Sequence, residues 1–132
     1  MSYTVGDVIA ERTVHLTRES LVRYAGASGD FNPIHYRDDV AAAVGLPGVL
    51  AHGMLTMGIA SSVVVAALPV DARLIDYGVR FTKPVVVDPE TGADVHVVAK
   101  VGAVDETSAR IDLTVKHAET TVLVKAQLRV AL

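Results

Sequence analysis

Hydrophobic and polar residues alternate with two different periods along the chain, and the earlier period is helical. The first helix is predicted over 17–28, where Leu21, Tyr24 and Ala25 recur at the spacing of one helix face. Thr17 is the expected N-cap, with Ser20 in the position where a capping box usually has Glu. Two glycines, Gly26 and Gly29, are expected to end this helix.

Two further helices are predicted before the middle of the chain. A short one covers Asp38 to Val44 and stops at Gly45. A longer one begins near His52 and runs to Leu68, where Pro69 prevents its continuation. This helix is apolar on every face, so we expect it to be buried on all sides.

The second half of the chain has the two-residue period of half-buried strands. Four strands are predicted, and turn-forming residues at 88–92 and 105–107 join neighbours as hairpins. Their inward-facing residues are expected to be Ile75, Tyr77, Val79 and Phe81; Val95, Val97, Ala99 and Val101; Ala109, Ile111, Leu113 and Val115; and Val122, Val124, Ala126, Leu128 and Val130. A long apolar helix wrapped by an antiparallel sheet is an α+β fold.

Composition limits the domain organisation and the class of partner. The 132 residues suit a single domain over 1–132. Hydrophobic residues make up 51% of the chain, which indicates that a second subunit covers part of the surface. The net charge of −3, with dispersed lysines and arginines, argues against nucleic-acid binding.

The sequence also predicts a cytoplasmic protein that does not enter a membrane. There is no cysteine, which fits a reducing compartment. The first residues, MSYTVGDVIAERT, lack the basic flank and apolar run of a secretory signal. The most apolar stretch, 54–68, is shorter than the roughly 20 residues that a spanning helix needs.

A polar loop between apolar segments carries the candidate chemistry. In GDFNPIH, the carboxylate of Asp30 and the imidazole of His35 are separated by a turn at Asn32 and Pro33. Gly53 follows, where the long helix begins, and a backbone N–H at a helix start can stabilise a developing oxyanion. These residues predict an acid/base pair beside an oxyanion site.

Each of these residues also has a purely structural interpretation. Asp30 can cap the turn at Asn32, and His35 can be a buried imidazole with satisfied hydrogen bonds. Together with Asp30 and His35, His52 can form a two-histidine, one-carboxylate metal site. A serine such as Ser61, within the long helix, can donate its hydrogen bond back to the preceding turn.

The motifs GDFNPIH and AHGML, followed by a helix with small residues and the strand entry VRFTKPVVV, resemble the MaoC-like hydratases and dehydratases of the hot-dog fold. The resemblance covers most of the chain. Within that family, VRYAGASGDFNPIH and LAHGMLTMGI look most like the catalytic B-type subunit of actinobacterial (3R)-hydroxyacyl-ACP dehydratases. The resemblance implies one hot-dog domain that pairs into a dimer.

The resemblance also implies an activity and a set of site residues. The reaction is reversible hydration of a trans-2-enoyl thioester to the (3R)-3-hydroxyacyl thioester, with Asp30 and His35 acting on one water and the Gly53 N–H as oxyanion donor. Asn32, Ser61 and Ser28 are assigned to substrate binding or to support of the catalytic pair. No metal or other cofactor is implied.

The expected substrate is an acyl-CoA or an acyl-ACP. The family includes homodimers, which suit an R-specific enoyl-CoA hydratase, and heterodimers in which a non-catalytic hot-dog subunit helps to form the acyl tunnel. The sequence leaves both open, and two other classes also remain. A hot-dog thioesterase is disfavoured by the GDFNPIH loop, and a non-catalytic acyl-binding subunit usually lacks the Asp/His pair.

Overall fold

The computed structural model describes residues 2–132 and consists of one antiparallel sheet with helices on one side. The sheet has five strands in the order β1-β3-β4-β5-β2. In chain order the elements are β1 (Val8–Leu16), α1 (Arg18–Ser28), a 3₁₀ turn (Pro33–His35), α2 (Asp38–Ala43), α3 (Gly53–Val65), β2 (Leu74–Phe81), β3 (Ala93–Val104), β4 (Ser108–His117) and β5 (Thr120–Ala131).

This is the α+β, hot-dog arrangement that the resemblance implies, with α3 as the long helix against the sheet. α3 packs on β1 and β3, and the hydroxyl of Tyr77 on β2 donates a hydrogen bond of 2.6 Å to the carbonyl of Met57. Burial raises the pKa of Tyr77 to about 12, so this hydroxyl keeps its proton at neutral pH. A single cluster of buried apolar residues fills the space between helix and sheet.

The prediction for α1 is confirmed except at Gly26. Thr17 is the N-cap, and it forms a reciprocal capping box in which its backbone N–H donates to Ser20 Oγ at 3.0 Å. Gly29 is the C-cap, with φ 77°. Gly26 lies inside the helix and does not end it.

The other two helices end slightly earlier than predicted, α2 at Ala43 and α3 at Val65. The expectation that α3 is buried on all sides is wrong for the isolated chain. Met54 is 61% exposed and Val65 49% exposed. Only the face that carries Thr56, Ala60, Val63 and Val64 is buried. The opposite apolar face of the helix therefore remains open to solvent.

The sheet has one strand more than the sequence predicts. β1 pairs along its length with β3, but its residues are mostly exposed or half-buried, and only Leu16 is buried. Because β1 lies at the edge of the sheet, packing does not impose a clear two-residue alternation on its sequence. Edge strands of this kind give a weak hydrophobic pattern.

The inward-facing residues predicted for β3 and β4 are all buried, but the prediction for β5 is wrong in phase at one point. Leu123 is 2% exposed, whereas Val124 is only half-buried. The pairing register of β5 shifts near Lys125, which adopts φ 47°. A β-bulge inserts one residue and so exchanges the two faces of the strand.

The prediction that Ile75 and Phe81 on β2 face inward is wrong for the isolated chain, in which they are 57% and 54% exposed. β2 is the other edge of the sheet, so it has no neighbour on its outer side.

Of the helices in residues 2–132, none combines the length and hydrophobicity that a bilayer crossing requires.

Candidate active site

Three hydrogen bonds between residues close in sequence shape the loop after α1, each from a backbone N–H to a side chain. The N–H of Asp30 donates to Ser28 Oγ at 3.1 Å, that of Asn32 to Asp30 Oδ1 at 3.1 Å, and that of Ile34 to Asn32 Oδ1 at 3.3 Å. Each bond spans two residues, as in Asx and Ser/Thr turns. Ser28 and Asn32 therefore shape the backbone on either side of Asp30.

His35 lies at the end of the 3₁₀ turn and is 8% exposed. Its Nδ1 is 2.7 Å from the carbonyl oxygen of Leu50. A carbonyl oxygen can only accept, so Nδ1 carries the proton, and Nε2 of the neutral ring is left as an acceptor. The tautomer of His35 is thus fixed by a contact outside its own loop.

The free Nε2 of His35 faces the Asp30 carboxylate, at 3.9 Å from Oδ2. The Asp30 side chain is 51% exposed, so the pair is open to solvent on one side. This separation is too long for a direct hydrogen bond but suits two acceptors that bind the same water. The structure therefore brings Asp30 and His35 together, as their spacing in the sequence predicts.

His52, which the sequence indicates only as a possible metal ligand, lies beside this pair. Its ring stacks on that of His35, with centroids 3.9 Å apart and planes at 20°. Its Nε2 is 3.2 Å from the carbonyl oxygen of Asp30. Burial, followed by repulsion from His35, lowers the pKa of His52 below its ordinary value. The signal in the sequence is the position of His52, directly before Gly53.

Asp30, His35 and His52 bring possible metal-ligand atoms within 4.8 Å of one another. The stacking of the two rings argues against chelation, because imidazole lone pairs lie in the ring plane and parallel rings direct them side by side. A metal-free site stays a prediction, and the geometry favours it.

Gly53 is the first residue of α3. The first N–H groups of a helix have no partner within the helix, and the helix dipole makes this end attractive to negative charge. A pocket of about 330 Å³ opens here, and its lining includes His35, Gly53, Thr56, Phe81, Lys83 and Leu123. The His35 imidazole and the start of α3 thus border the same pocket.

Ser61 lies further along α3, and its hydroxyl donates to the carbonyl of Gly58 at 2.9 Å. The neighbouring Ser62 makes the same bond to Gly58, at 2.8 Å. Within residues 2–132, these are the only hydrogen bonds of either hydroxyl. The role of Ser61 in substrate or water binding stays a prediction.

Comparisons with known proteins agree with this architecture. The sequence profile of the "MaoC like domain" matches residues 3–122. A "3-hydroxyacyl-thioester dehydratase X" of Mycobacterium tuberculosis is 38% identical over 79 residues, 60% of this chain and 27% of that protein. An "(R)-specific enoyl-CoA hydratase" of Rhodospirillum rubrum is 29% identical over 132 aligned positions, 96% of this chain and 87% of that protein.

The fold is shared with solved structures as well. A "MaoC-like dehydratase" superposes with a TM-score of 0.89 at 32% identity, over 98% of this chain and 40% of the other. The chain thus spans well under half of the length of the mycobacterial dehydratase and of this solved MaoC-like dehydratase. The match over 3–122, with the superposition of nearly the whole fold, shows that the chain belongs to the MaoC-like domain family.

Proposed function

We propose that this protein is a hydro-lyase that interconverts (3R)-3-hydroxyacyl and trans-2-enoyl thioesters. The observation that carries the proposal is the separation of 3.9 Å between His35 Nε2 and Asp30 Oδ2, with Nε2 freed for chemistry by the bond from Nδ1 to Leu50. The names of the two relatives, a 3-hydroxyacyl-thioester dehydratase and an enoyl-CoA hydratase, support the same reaction.

Hydration needs one basic atom and one proton donor at this site. The base removes a proton from water as the oxygen bonds to C3, and the protonated group delivers its proton to C2. Asp30 and His35 together fill these two roles when one proton, in addition to the one on His35 Nδ1, lies on either Asp30 Oδ2 or His35 Nε2. Dehydration follows the same steps in reverse, so one site catalyses both directions.

The thioester oxygen gains negative charge while the proton is in transfer. The N–H of Gly53 is suited to stabilise that charge by donating a hydrogen bond, since Gly53 begins α3 and borders the same pocket as His35. Loss of one donor of this kind typically costs about 3–4 kcal/mol in the barrier. Ser28, Asn32 and Ser61 are proposed to support this arrangement or to contact the substrate.

A dimer is part of the proposal. The exposed apolar side chains of Met54 and Val65 on α3, and of Ile75 and Phe81 on β2, fit a surface that a second hot-dog subunit covers. The subunit is either a second copy of this chain or a non-catalytic partner. An acyl-ACP dehydratase subunit in the cytoplasm is the leading form, and a homodimeric R-specific enoyl-CoA hydratase is the alternative.

The test is hydration of a short trans-2-enoyl-CoA by the purified chain, followed as loss of the conjugated-enoyl absorbance. We expect Asp30→Asn and His35→Gln each to lower kcat by roughly 10²- to 10⁴-fold. A matched control exists on the outer side of the sheet, where His15 and Asp94 lie 2.6 Å apart. His15→Gln and Asp94→Asn are expected to retain wild-type turnover.

Near-native rates in both Asp30→Asn and His35→Gln would contradict the proposed site. If the folded chain is inactive on enoyl-CoA, the same assay with an enoyl-ACP separates a carrier requirement from an error in the proposal. Inactivity of the folded chain on both carriers would exclude the homodimeric hydratase and leave only the form that needs a non-catalytic partner subunit. Molar mass in solution by light scattering tests the homodimer directly.

A further inference from the structure

His52 contacts both members of the proposed catalytic pair, although it lies 22 residues after Asp30 in the chain. It is the N-cap residue of α3 and is 1% exposed. Its ring stacks on His35, and its other side meets the edge of the Tyr24 ring, with centroids 4.8 Å apart and planes at 69°. The ring is therefore enclosed between α1 and the motif loop.

The two histidines have complementary tautomers. The carbonyl of Asp30 can only accept, so His52 carries its proton on Nε2, whereas His35 carries its proton on Nδ1. His52 Nδ1 is then a buried acceptor, and within residues 2–132 it has no hydrogen-bond partner. A buried acceptor without a partner reduces stability, so the ring must be held in this orientation by its remaining contacts.

The position of the Asp30 carboxylate depends on where its own backbone lies. The N–H of Asp30 is bonded to Ser28, and its carbonyl is bonded to His52. The first bond is local, but the second ties the loop to the start of α3, next to the proposed oxyanion donor. The His52 side chain also stacks on the face of the His35 ring.

We propose that His52 is a positioning residue, which fixes the Asp30 backbone through Nε2–H and the His35 ring through stacking. This inference rests on the function proposed above. His52 thereby holds the two reacting side chains beside the start of α3. It transfers no proton to substrate, because it is 1% exposed and, unlike His35, is not among the residues that line the pocket.

Two substitutions separate the two contacts. His52→Phe keeps an aromatic ring against His35 but removes the donor to Asp30, and His52→Gln keeps an N–H donor but removes the stacked ring. Each is expected to lower kcat by roughly 10- to 100-fold, as displacements of about 1 Å in a catalytic group do, with KM within about twofold. His96→Gln, which alters a partly exposed histidine bonded to Glu11, is the control and should leave both constants unchanged.

The pH profile provides a readout that a purely structural role would not move. If stacking restrains His35, the pH profile of kcat/KM should change in His52→Gln and change less in His52→Phe. Unchanged kcat in both variants, or losses confined to KM, would overturn the proposal. These results differ from failure of the proposed function, in which the wild type itself is inactive.

A second measurement needs neither a variant nor turnover. In wild-type protein labelled with ¹⁵N, the ring nitrogens should show the Nε2–H tautomer for His52 and the Nδ1–H tautomer for His35 at neutral pH. A His52 ring protonated at Nδ1 would mean that the bond to the Asp30 carbonyl is absent, which would overturn the inference. This measurement also covers the case in which the His52 variants do not fold.

Discussion

The ring of Phe81 lies over the backbone of Gly53, so that a Cβ built on Gly53 would be 3.0 Å from Phe81 Cε1. The two residues come from the edge strand β2 and from the first turn of α3. Glycine at position 53 therefore has two physical explanations. It makes room for the aromatic ring, and it leaves the N–H open to close approach by a thioester.

A double-mutant experiment distinguishes these explanations. Gly53→Ala is expected to fold, because the half-exposed Phe81 ring can shift by a few tenths of an ångström. Its kcat should fall by roughly 10²-fold, comparable with loss of an oxyanion donor. Since the methyl group itself blocks the approach of the thioester to the N–H, the double variant Gly53→Ala with Phe81→Ala should have the same low kcat as Gly53→Ala alone. Steady-state kinetics of the two single variants and the double variant provide the comparison.

The control for this experiment is Gly58→Ala in the same helix. A Cβ at Gly58 meets no atom within 4 Å, so this change should keep activity and stabilise the helix by up to about 1 kcal/mol. Recovery of kcat in the double variant, to the level of Phe81→Ala alone, would show that Gly53 serves only to accommodate the ring.

Stability should depend on pH through His52. Its pKa in the folded protein is lowered from 6.5 by burial, so the unfolded chain binds a proton on His52 at a pH where the folded chain does not. Stability from this group is complete above pH 6.5 and decreases as the pH falls below that value. We expect Tm to decrease between pH 7.5 and 5.5, and the decrease to be smaller in His52→Phe. Equal slopes in the two proteins would contradict this assignment.

The turn between β4 and β5 is open to stabilisation. Ala118 and Glu119 form a two-residue loop with φ of 48° and 64°, the combination of a type I′ turn. Left-handed backbone costs a non-glycine residue about 1–2 kcal/mol, and Asn-Gly suits this turn best. Ala118→Asn with Glu119→Gly should therefore raise the free energy of unfolding by about 1 kcal/mol.

Chemical denaturation at neutral pH measures this change in the turn. Glu119→Val is the opposing variant, since a β-branched residue is strained at positive φ, and it should lower the free energy of unfolding. If Asn-Gly destabilises the protein, the turn in solution differs from the one described.

Two neighbouring serines allow a direct test of the predicted role of Ser61. Ser61 and Ser62 donate equivalent hydrogen bonds to the Gly58 carbonyl, so replacing either by alanine has a similar structural effect on α3. If Ser61 contacts substrate or the reacting water, Ser61→Ala should reduce kcat/KM by about tenfold, the size of one lost hydrogen bond, and Ser62→Ala should not. Equal kinetics in the two variants would limit Ser61 to a structural role.

The sequence by itself determined the features whose interactions are local. The capping box of α1 joins Thr17 to Ser20, and the turns that shape the motif loop join residues two apart. In β3 and β4, which have a neighbouring strand on each side, burial follows the two-residue pattern directly. The closeness of Asp30 and His35 was predictable for the same reason, since one short loop carries both residues.

Only the tertiary structure decided the features that join distant parts of the chain. β1 and the bulge in β5 depend on which strand lies alongside, and this information is not contained in the local hydrophobic pattern. Leu50 fixes the tautomer of His35 from 15 residues away, and His52 reaches the Asp30 backbone across 22 residues. Phe81 meets Gly53 because β2 and α3 pack together, which sequence spacing alone cannot specify.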